Sequence, residues 1–528
     1  MAVPRAEAYS LGKFSAWLLA RSIMASMNTE TLGERIRAIL ALDPQAVAIE
    51  TAAGSGYTWG GLAAAADAME QILRDAEIET AAPIGWVARN RPTAVAAFAG
   101  LVMTGRMVIP LRPKQTSATF REELAAQRLK AVVGDAEDWA DAGAVDAAAG
   151  VGSLGICMAG LSPGDVRLVP GLTRVGPGPH RSPMPGYVLE RLTSGTTGAP
   201  KRIPVLESVL LPSLESGEQK RHAHEADVLR LKTSPAMLLK PFSHAGGLFG
   251  LLLALYQARP MVLFEKFVAA DWAAAVRKYQ PKSASLVPAM IQMILEAAIP
   301  RESLSSLKAI RAGTAPLDPV TQTQFEELYG VPILIDYGAA EFIGGVAGWS
   351  LDDHRQYSKT KRGSVGRARP DVHLKVIEPD SGAELPPGQS GILLIKCDRF
   401  GPDWFRTNDL ASIDADGFLF LHGRADDAIN RGGFKILPDE VANVLKRYPG
   451  VRDAAVVARP DPRLGQVPVA AIEMGAGTPP PAAADLDAFV RRHLTAYMVP
   501  KEFIFVDALP RTASMKISRP ELKAMLGI

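Results

Sequence analysis

Short runs of strand-forming residues, each followed by a Gly, Pro or Thr break and then by an apolar stripe at helical spacing, recur along most of this chain. Residues 46–49, 84–87 and 108–111 read as strands, and 31–42, 61–76 and 93–103 as helices, with Leu62, Ala66, Met69 and Leu73 on one face of the second. The rhythm resumes with strands at 187–189, 237–239, 285–288, 309–313 and 332–335 and helices at 248–256 and 289–297, while 207–229 is helical in part. Such alternation predicts parallel sheets with helices on their faces, which place ligands beyond the carboxyl ends of their strands. At 528 residues, 48% of them apolar and 22% charged, the chain exceeds one ordinary domain and has ample material for its cores.

One break carries far more chemistry than a turn needs. Residues 192–204 read LTSGTTGAPKRIP, which sets Thr193, Ser194, Thr196 and Thr197 around Gly195 and Gly198 and adds Lys201 and Arg202. Glycines let consecutive N–H groups converge on one anion, and the hydroxyls and two cations supply further donors. A plain Gly/Thr surface turn is the bland alternative. A P-loop fails on spacing, because the second glycine position is Pro200 and Lys201 is followed by Arg202 rather than Ser or Thr. The loop suits a polyphosphate.

Other breaks offer partners for a nucleotide. Gly313, Thr314, Ala315 and Pro316 suit a planar base, and Tyr337, between Asp336 and Gly338, offers a ring to stack on it. Glu341 is a hard oxygen ligand suited to Mg²⁺ that bridges phosphates; alone it would read as a solvated loop charge. His244 follows a strand and precedes Gly246, Gly247 and an apolar helix, although a lone His is more often structural.

The balance of 58 basic against 56 acidic side chains, net charge +2, gives no reason to invoke nucleic acid or an anionic membrane. Two cysteines, Cys157 and Cys397, stand far apart in no metal spacing, which suits a reduced cytosol and a cytoplasmic protein. The apolar run near residues 14–20 is stopped by Arg21 and is too short to span a membrane. A short amphipathic extension and a true start at Met24 or Met27 both remain open for residues 1–26. No stable membrane insertion is expected.

The 192–204 loop resembles the phosphate loop of the adenylate-forming enzymes: acyl- and aryl-CoA synthetases, peptide-synthetase adenylation domains and luciferases. Residues 337–341, YGAAE, are similar to that family's tyrosine-glycine-x-threonine-glutamate motif, with Ala340 where a threonine hydroxyl approaches the α-phosphate. Residues 363–366 and 386–395 match its antiparallel region. Residues 405–409, FRTND, resemble the arginine-threonine-glycine-aspartate motif, with Asn408 for Gly and Asp409 positioned to accept both ribose hydroxyls. The resemblance makes Arg424 a nucleotide contact, Asp426 a pivot between domains, and Gly432 with Gly433 a surface for a pantetheine arm. It puts Lys516 on the catalytic lysine, within a closing motif where Met515 replaces a glycine.

The family places a His at the mouth of the acyl pocket, which would be His244 here; Val287, Met290 and Ala312 complete an apolar pocket. Amino-acid-activating relatives carry an Asp for the substrate ammonium, and residues 241–247 hold no carboxylate. The resemblance therefore implies a large α/β domain over 27–425, of βα-layered sheets plus a small antiparallel region. A small mobile α+β lid over 426–528 would follow it. The implied activity is an ATP- and Mg²⁺-dependent ligation of an aliphatic or aromatic monocarboxylic acid to CoA through an acyl-adenylate. Lys516, Glu341, Thr193 and His244 would be its catalytic groups. The alternatives are an enzyme loading a carrier-protein thiol, a luciferase-like oxygenase and a non-catalytic acyl or nucleotide binder. A homodimer is compatible with all of them.

Overall fold

The computed structural model describes residues 30–113, 116–192, 202–219, 229–338, 342, 344–397, 402–512 and 515–528. The extension at 1–26, the core of the phosphate loop at 193–201, and Ala340 and Glu341 lie outside the described residues. The chain forms two compact units, one built from residues up to 194 and 200–275, the other from 276–398 and 402–528.

In the first unit a seven-stranded sheet runs in the order Val166–Leu168, Leu154–Met158, Ala131–Asp135, Pro83–Val87, Met107–Leu111, Tyr187–Leu192, Arg202–Leu206. Its inner strands are parallel and its two edges antiparallel. The central pair, Pro83–Val87 and Met107–Leu111, is buried at every position, as parallel strands covered on both faces must be. The helix Pro92–Met103 is apolar all round and buried from Thr93 onward, so hydrophobic pattern alone could not have oriented it. It lies against the helix Trp59–Asp75. A Cβ on Gly100 would come within 2.9 Å of the Ala66 Cβ, so the glycine sets how closely these helices approach.

Beside that contact Arg106 lays a two-pronged guanidinium on Glu70, at 2.8 and 2.9 Å, and donates to the carbonyls of Ile78 and Glu79. Both side chains are almost fully buried. At the start of the unit Thr31 and Glu34 form a reciprocal capping box on the helix Leu32–Leu42, satisfying N–H groups that a helix leaves unpaired.

In the second unit three parallel strands, Ser283–Leu286, Ala309–Gly313 and Ile333–Tyr337, continue into the antiparallel pieces Ala347–Gly348 and Arg367–Ala368. An antiparallel sheet of Val372–Ile377, Gly391–Cys397, Phe405–Ile413 and Leu419–Arg424 follows. The last hundred or so residues carry their own sheet and their own apolar core, in which Ile429, Ile436, Val441, Leu445, Ile472, Leu486 and Val490 are buried. The protein is thus mixed α/β, a large amino-terminal domain with an antiparallel region and a smaller α+β carboxy-terminal domain, as the sequence led us to expect. Among the described residues no helix is long and apolar enough to cross a membrane.

Candidate active site

The second unit brings the candidate nucleotide residues together. The strands Ala309–Gly313 and Ile333–Tyr337 end in parallel register, Gly313 beside Asp336. A Cβ on Gly313 would sit 2.7 Å from the Asp336 carbonyl oxygen, so only glycine allows the chain to turn there. Thr314 follows with φ +76°, a left-handed conformation costly for a β-branched residue, and its buried hydroxyl has no hydrogen-bond partner. Backbone strain of this kind clusters at functional sites, and a buried hydroxyl without a partner calls for one.

Asp336, expected beside the nucleotide, has its carboxylate engaged by Arg369 and, at 3.1 Å, by Arg311. Tyr337 lies within its strand rather than in the break after it, and its hydroxyl donates to Asp409. Asp409 stands on Phe405–Ile413 directly opposite Arg424 on Leu419–Arg424. Arg424 approaches Asp409 at 3.9 Å and lays its fork on Asp426 at 2.9 and 2.8 Å. Asn408 adds a third contact to Asp426 at 3.2 Å, so the residue that departs from the motif grips the expected pivot. The hydrogen bonds from Arg424 hold the Asp426 carboxyl below the ordinary carboxylate range.

Lys516 is half-buried, and burial pushes its ammonium below the ordinary lysine range; the charge of Arg424 adds to this and that of Asp409 opposes it. Its loop is a tight turn in which Met515 N–H donates to the Thr512 carbonyl, and Thr512 N–H to the Lys516 carbonyl. Met515 takes φ +65° in that turn, the conformation for which a glycine would be free of strain.

Gly432 and Gly433, at φ +56° and +91°, form the two-residue turn that joins Ile429–Arg431 to Phe434–Ile436. Positive φ at both centres is what such a hairpin demands, so the turn accounts for both glycines without a ligand. Val287, Met290 and Ala312 are all buried.

Within the first unit, His244 is the N-cap of the helix Ala245–Tyr256, its Nδ1 accepting the Gly246 N–H at 3.3 Å. A Cβ on Gly247 would meet the Pro241 carbonyl oxygen at 2.1 Å, so the chain's own turn requires that glycine. Asn90, which the sequence gave no reason to single out, anchors this segment. It donates to the carbonyls of Lys240 and Phe264 and accepts the Phe242 N–H. Arg202 corrects the sequence reading. It lies on the strand Arg202–Leu206, and its guanidinium is taken up by Glu123, the Pro110 carbonyl and Glu190 rather than offered to a phosphate. A carboxylate already close by was the competing partner that the loop motif could not reveal. Among the described residues no group of three or more His, Cys, Asp or Glu is arranged to hold a metal ion.

Comparison with known proteins gives the family. Indoleacetate–CoA ligase of Aromatoleum aromaticum is 30% identical over 67% of this chain and 71% of its own length. The 4-coumarate–CoA ligase-like 3 protein of rice is 28% identical over 63% of this chain. The chain spans only 58% of the rice protein's length. The ATP-bound MatB of Rhodopseudomonas palustris shares the fold, with a TM-score of 0.77 at 23% identity, over 94% of this chain and 98% of that one. The AMP-binding enzyme C-terminal domain model matches residues 440–516. Because the AMP-binding enzyme model matches residues 37–400 of a 528-residue chain, the protein belongs to the AMP-binding enzyme family.

Proposed function

We propose that this protein is an AMP-forming carboxylate–CoA ligase that adenylates an aliphatic or aromatic monocarboxylic acid and passes the acyl group to CoA. The observation that carries the reading is the cluster of Tyr337, Asp409 and Arg424 with Lys516 in electrostatic reach, next to the strained Thr314. In the first step a substrate carboxylate oxygen attacks the α-phosphorus of ATP and the bond to pyrophosphate breaks. No proton moves and no protein nucleophile is needed, so catalysis is positioning and charge neutralisation.

Lys516 bridges carboxylate and α-phosphate, and its desolvated ammonium makes that contact stronger than it would be in water. Asp409 receives the ribose hydroxyls, displacing the Tyr337 hydroxyl, and Gly313 to Pro316 bound the base. Thr193, Ser194, Gly195, Thr196, Thr197, Gly198 and Lys201 cradle the phosphates, and the carboxylate of Glu341 is the group suited to Mg²⁺. In the second step a thiol attacks the acyl carbon, AMP leaves and the thiol proton passes to solvent.

On this reading residues 27–425 form the adenylating domain and 426–528 a lid that turns about Asp426. His244 and Gly246 are assigned to the acid, and so are Val287, Met290 and Ala312. The protein works in the cytoplasm, alone or as a homodimer. Pyrophosphate release measured over a panel of carboxylic acids, with CoA, with a carrier protein and with neither, tests this. Thioester formation with CoA supports the ligase; product only on the carrier protein makes it a loading enzyme. No acid-dependent pyrophosphate release with any of them removes the adenylation reading.

A further inference from the structure

Two neighbouring residues near the start of the strand Val451–Asp461 tie the Lys516 loop to a distant helix. Arg452 lays its Nε and Nη2 on Glu296 at 2.7 and 2.9 Å, a partner 156 positions earlier, while its Nη1 reaches Glu473. All three lie in the second unit. Glu473 is 2% exposed and also accepts the N–H of Leu509 at 2.9 Å, just where the chain enters the Lys516 loop. The next residue, Asp453, pairs with Lys446 at 3.0 Å and with Arg511, whose other nitrogen donates to the Met515 carbonyl at 3.3 Å. The segment that carries Lys516 is therefore held by Glu473 and Asp453, and Arg452 extends that hold outward.

The outer partner is unusual in its place. Glu296 ends the helix Pro288–Glu296, where the helix dipole is negative and a carboxylate is disfavoured. A cation brought to that end satisfies both the carboxylate and the dipole. The two-pronged geometry adds directionality that a lysine would lack.

We propose that Arg452 is a positioning residue for the adenylation step. Its ion pair with Glu296 latches the last hundred or so residues in the orientation that brings Lys516 to Asp409 and Arg424, and the latch opens for the thiol step. This rests on reading Lys516 as the adenylation lysine. Half-exposed ion pairs shift an equilibrium up to about fivefold, a size suited to a contact that must be made and broken in each turnover.

The test uses the full chain with Glu296→Gln, which leaves the Lys516 loop and its supports in place. Adenylation is followed by pyrophosphate release with hexanoate or benzoate, whichever is turned over, with hydroxylamine as trap. The thiol step is followed from the matching synthetic acyl-adenylate and CoA. We expect adenylation to fall about two- to fivefold while the thiol step holds or quickens. The unaltered protein should lose adenylation rate between about 50 mM and about 0.5 M NaCl, and that loss should flatten in the variant. Arg452→Lys, which keeps the charge and loses the fork, should fall between the two. Equal loss of both steps, no change in either, or unaltered salt dependence would overturn the latch. Lys516→Ala run alongside separates the two ideas. If it abolishes adenylation while Glu296→Gln changes nothing, only the latch fails; if it leaves adenylation intact, the reading of Lys516 fails and takes the latch with it.

Discussion

Replacing Glu326 by Gln should remove a pH-dependent brace of the second unit. Glu326 lies on the helix Pro319–Tyr329 with its side chain 11% exposed, and it collects four donors. One oxygen meets His354 and the Ile333 N–H, both at 2.9 Å, and Gln322 at 3.1 Å; the other meets Arg362 at 2.6 Å. Burial pushes its carboxyl up, but the hydrogen bonds from His354, Ile333 and Arg362 outweigh that and hold it at about 2, against an ordinary 4.5. Because the folded state favours the ionised form, the contribution is complete above pH 4.5 and is lost as pH falls towards 2. Converted at ~1.4 kcal/mol per pH unit, that gap is about 3–4 kcal/mol.

Urea unfolding of the two proteins should therefore differ by roughly that amount near neutrality, and the gap should shrink below pH 4.5 and close only as the pH approaches 2. Trp349 is a built-in fluorescent reporter: it is buried, and its ring stands edge-on to His354 at 6.2 Å between centroids. A gap that stays constant with pH, or one below about 0.5 kcal/mol at neutrality, would refute the assignment of this stability to the ionised carboxylate.

Lys516→Ala should slow acyl-adenylate formation by about 10²–10³-fold while sparing thioester formation from supplied acyl-adenylate, as loss of one preorganised charge contact does; half-reaction assays decide it, and equal losses would make the residue structural. Asp426→Pro, which fixes φ at the expected pivot, should leave adenylation running and stop thioester formation, seen as acyl-AMP accumulating with CoA present. Asp426→Ala, which loses the grip of Arg424 and Asn408 but keeps the backbone free, is its control; undiminished CoA-ester turnover in the Pro variant would sink the rotating lid. Met515→Gly should relieve left-handed strain of about 1–2 kcal/mol, raising the resistance of the 510–518 segment to proteolysis; faster cleavage would show that the side chain anchors the turn.

Local pattern made the layers legible. The stripe Leu62, Ala66, Met69 and Leu73 is a face of the helix Trp59–Asp75, and strands expected at 108–111 and 309–313 form within a residue of those bounds. Boundaries moved where polar residues continue a strand: Asp336 and Tyr337 belong to Ile333–Tyr337 because they pair with Gly348 and Ala347. What sequence could not supply was the partner of each charge. Arg202 looked available because Glu123 is 79 positions away, and Glu326, Arg452 and Asn90 drew no attention because their partners are far along the chain. Glycines carry a second explanation that the sequence did not weigh: the turns made by Gly247, Gly432 and Gly433 themselves require glycine. The candidate site was legible where a motif fixes the order of residues along the chain, as at Tyr337, Asp409 and Lys516.

The pair Arg106–Glu70 has a consequence for how this protein can drift. Changing either member alone strands a charge in a dry interior, at a cost of about 3–5 kcal/mol, enough to remove a large part of a typical domain's margin. Changing both to apolar residues of similar volume spares the charges, yet leaves the Ile78 and Glu79 carbonyls without the donor they share. The two codons are therefore inherited as one character. Lineages that reach an apolar version must cross an unfit single mutant and then find a new donor for the Ile78 carbonyl, since the Glu79 carbonyl also accepts the Ala82 N–H at 3.3 Å. Random mutagenesis libraries of this chain should accordingly be depleted of survivors at positions 70 and 106 long before they are depleted at the exposed ion pairs.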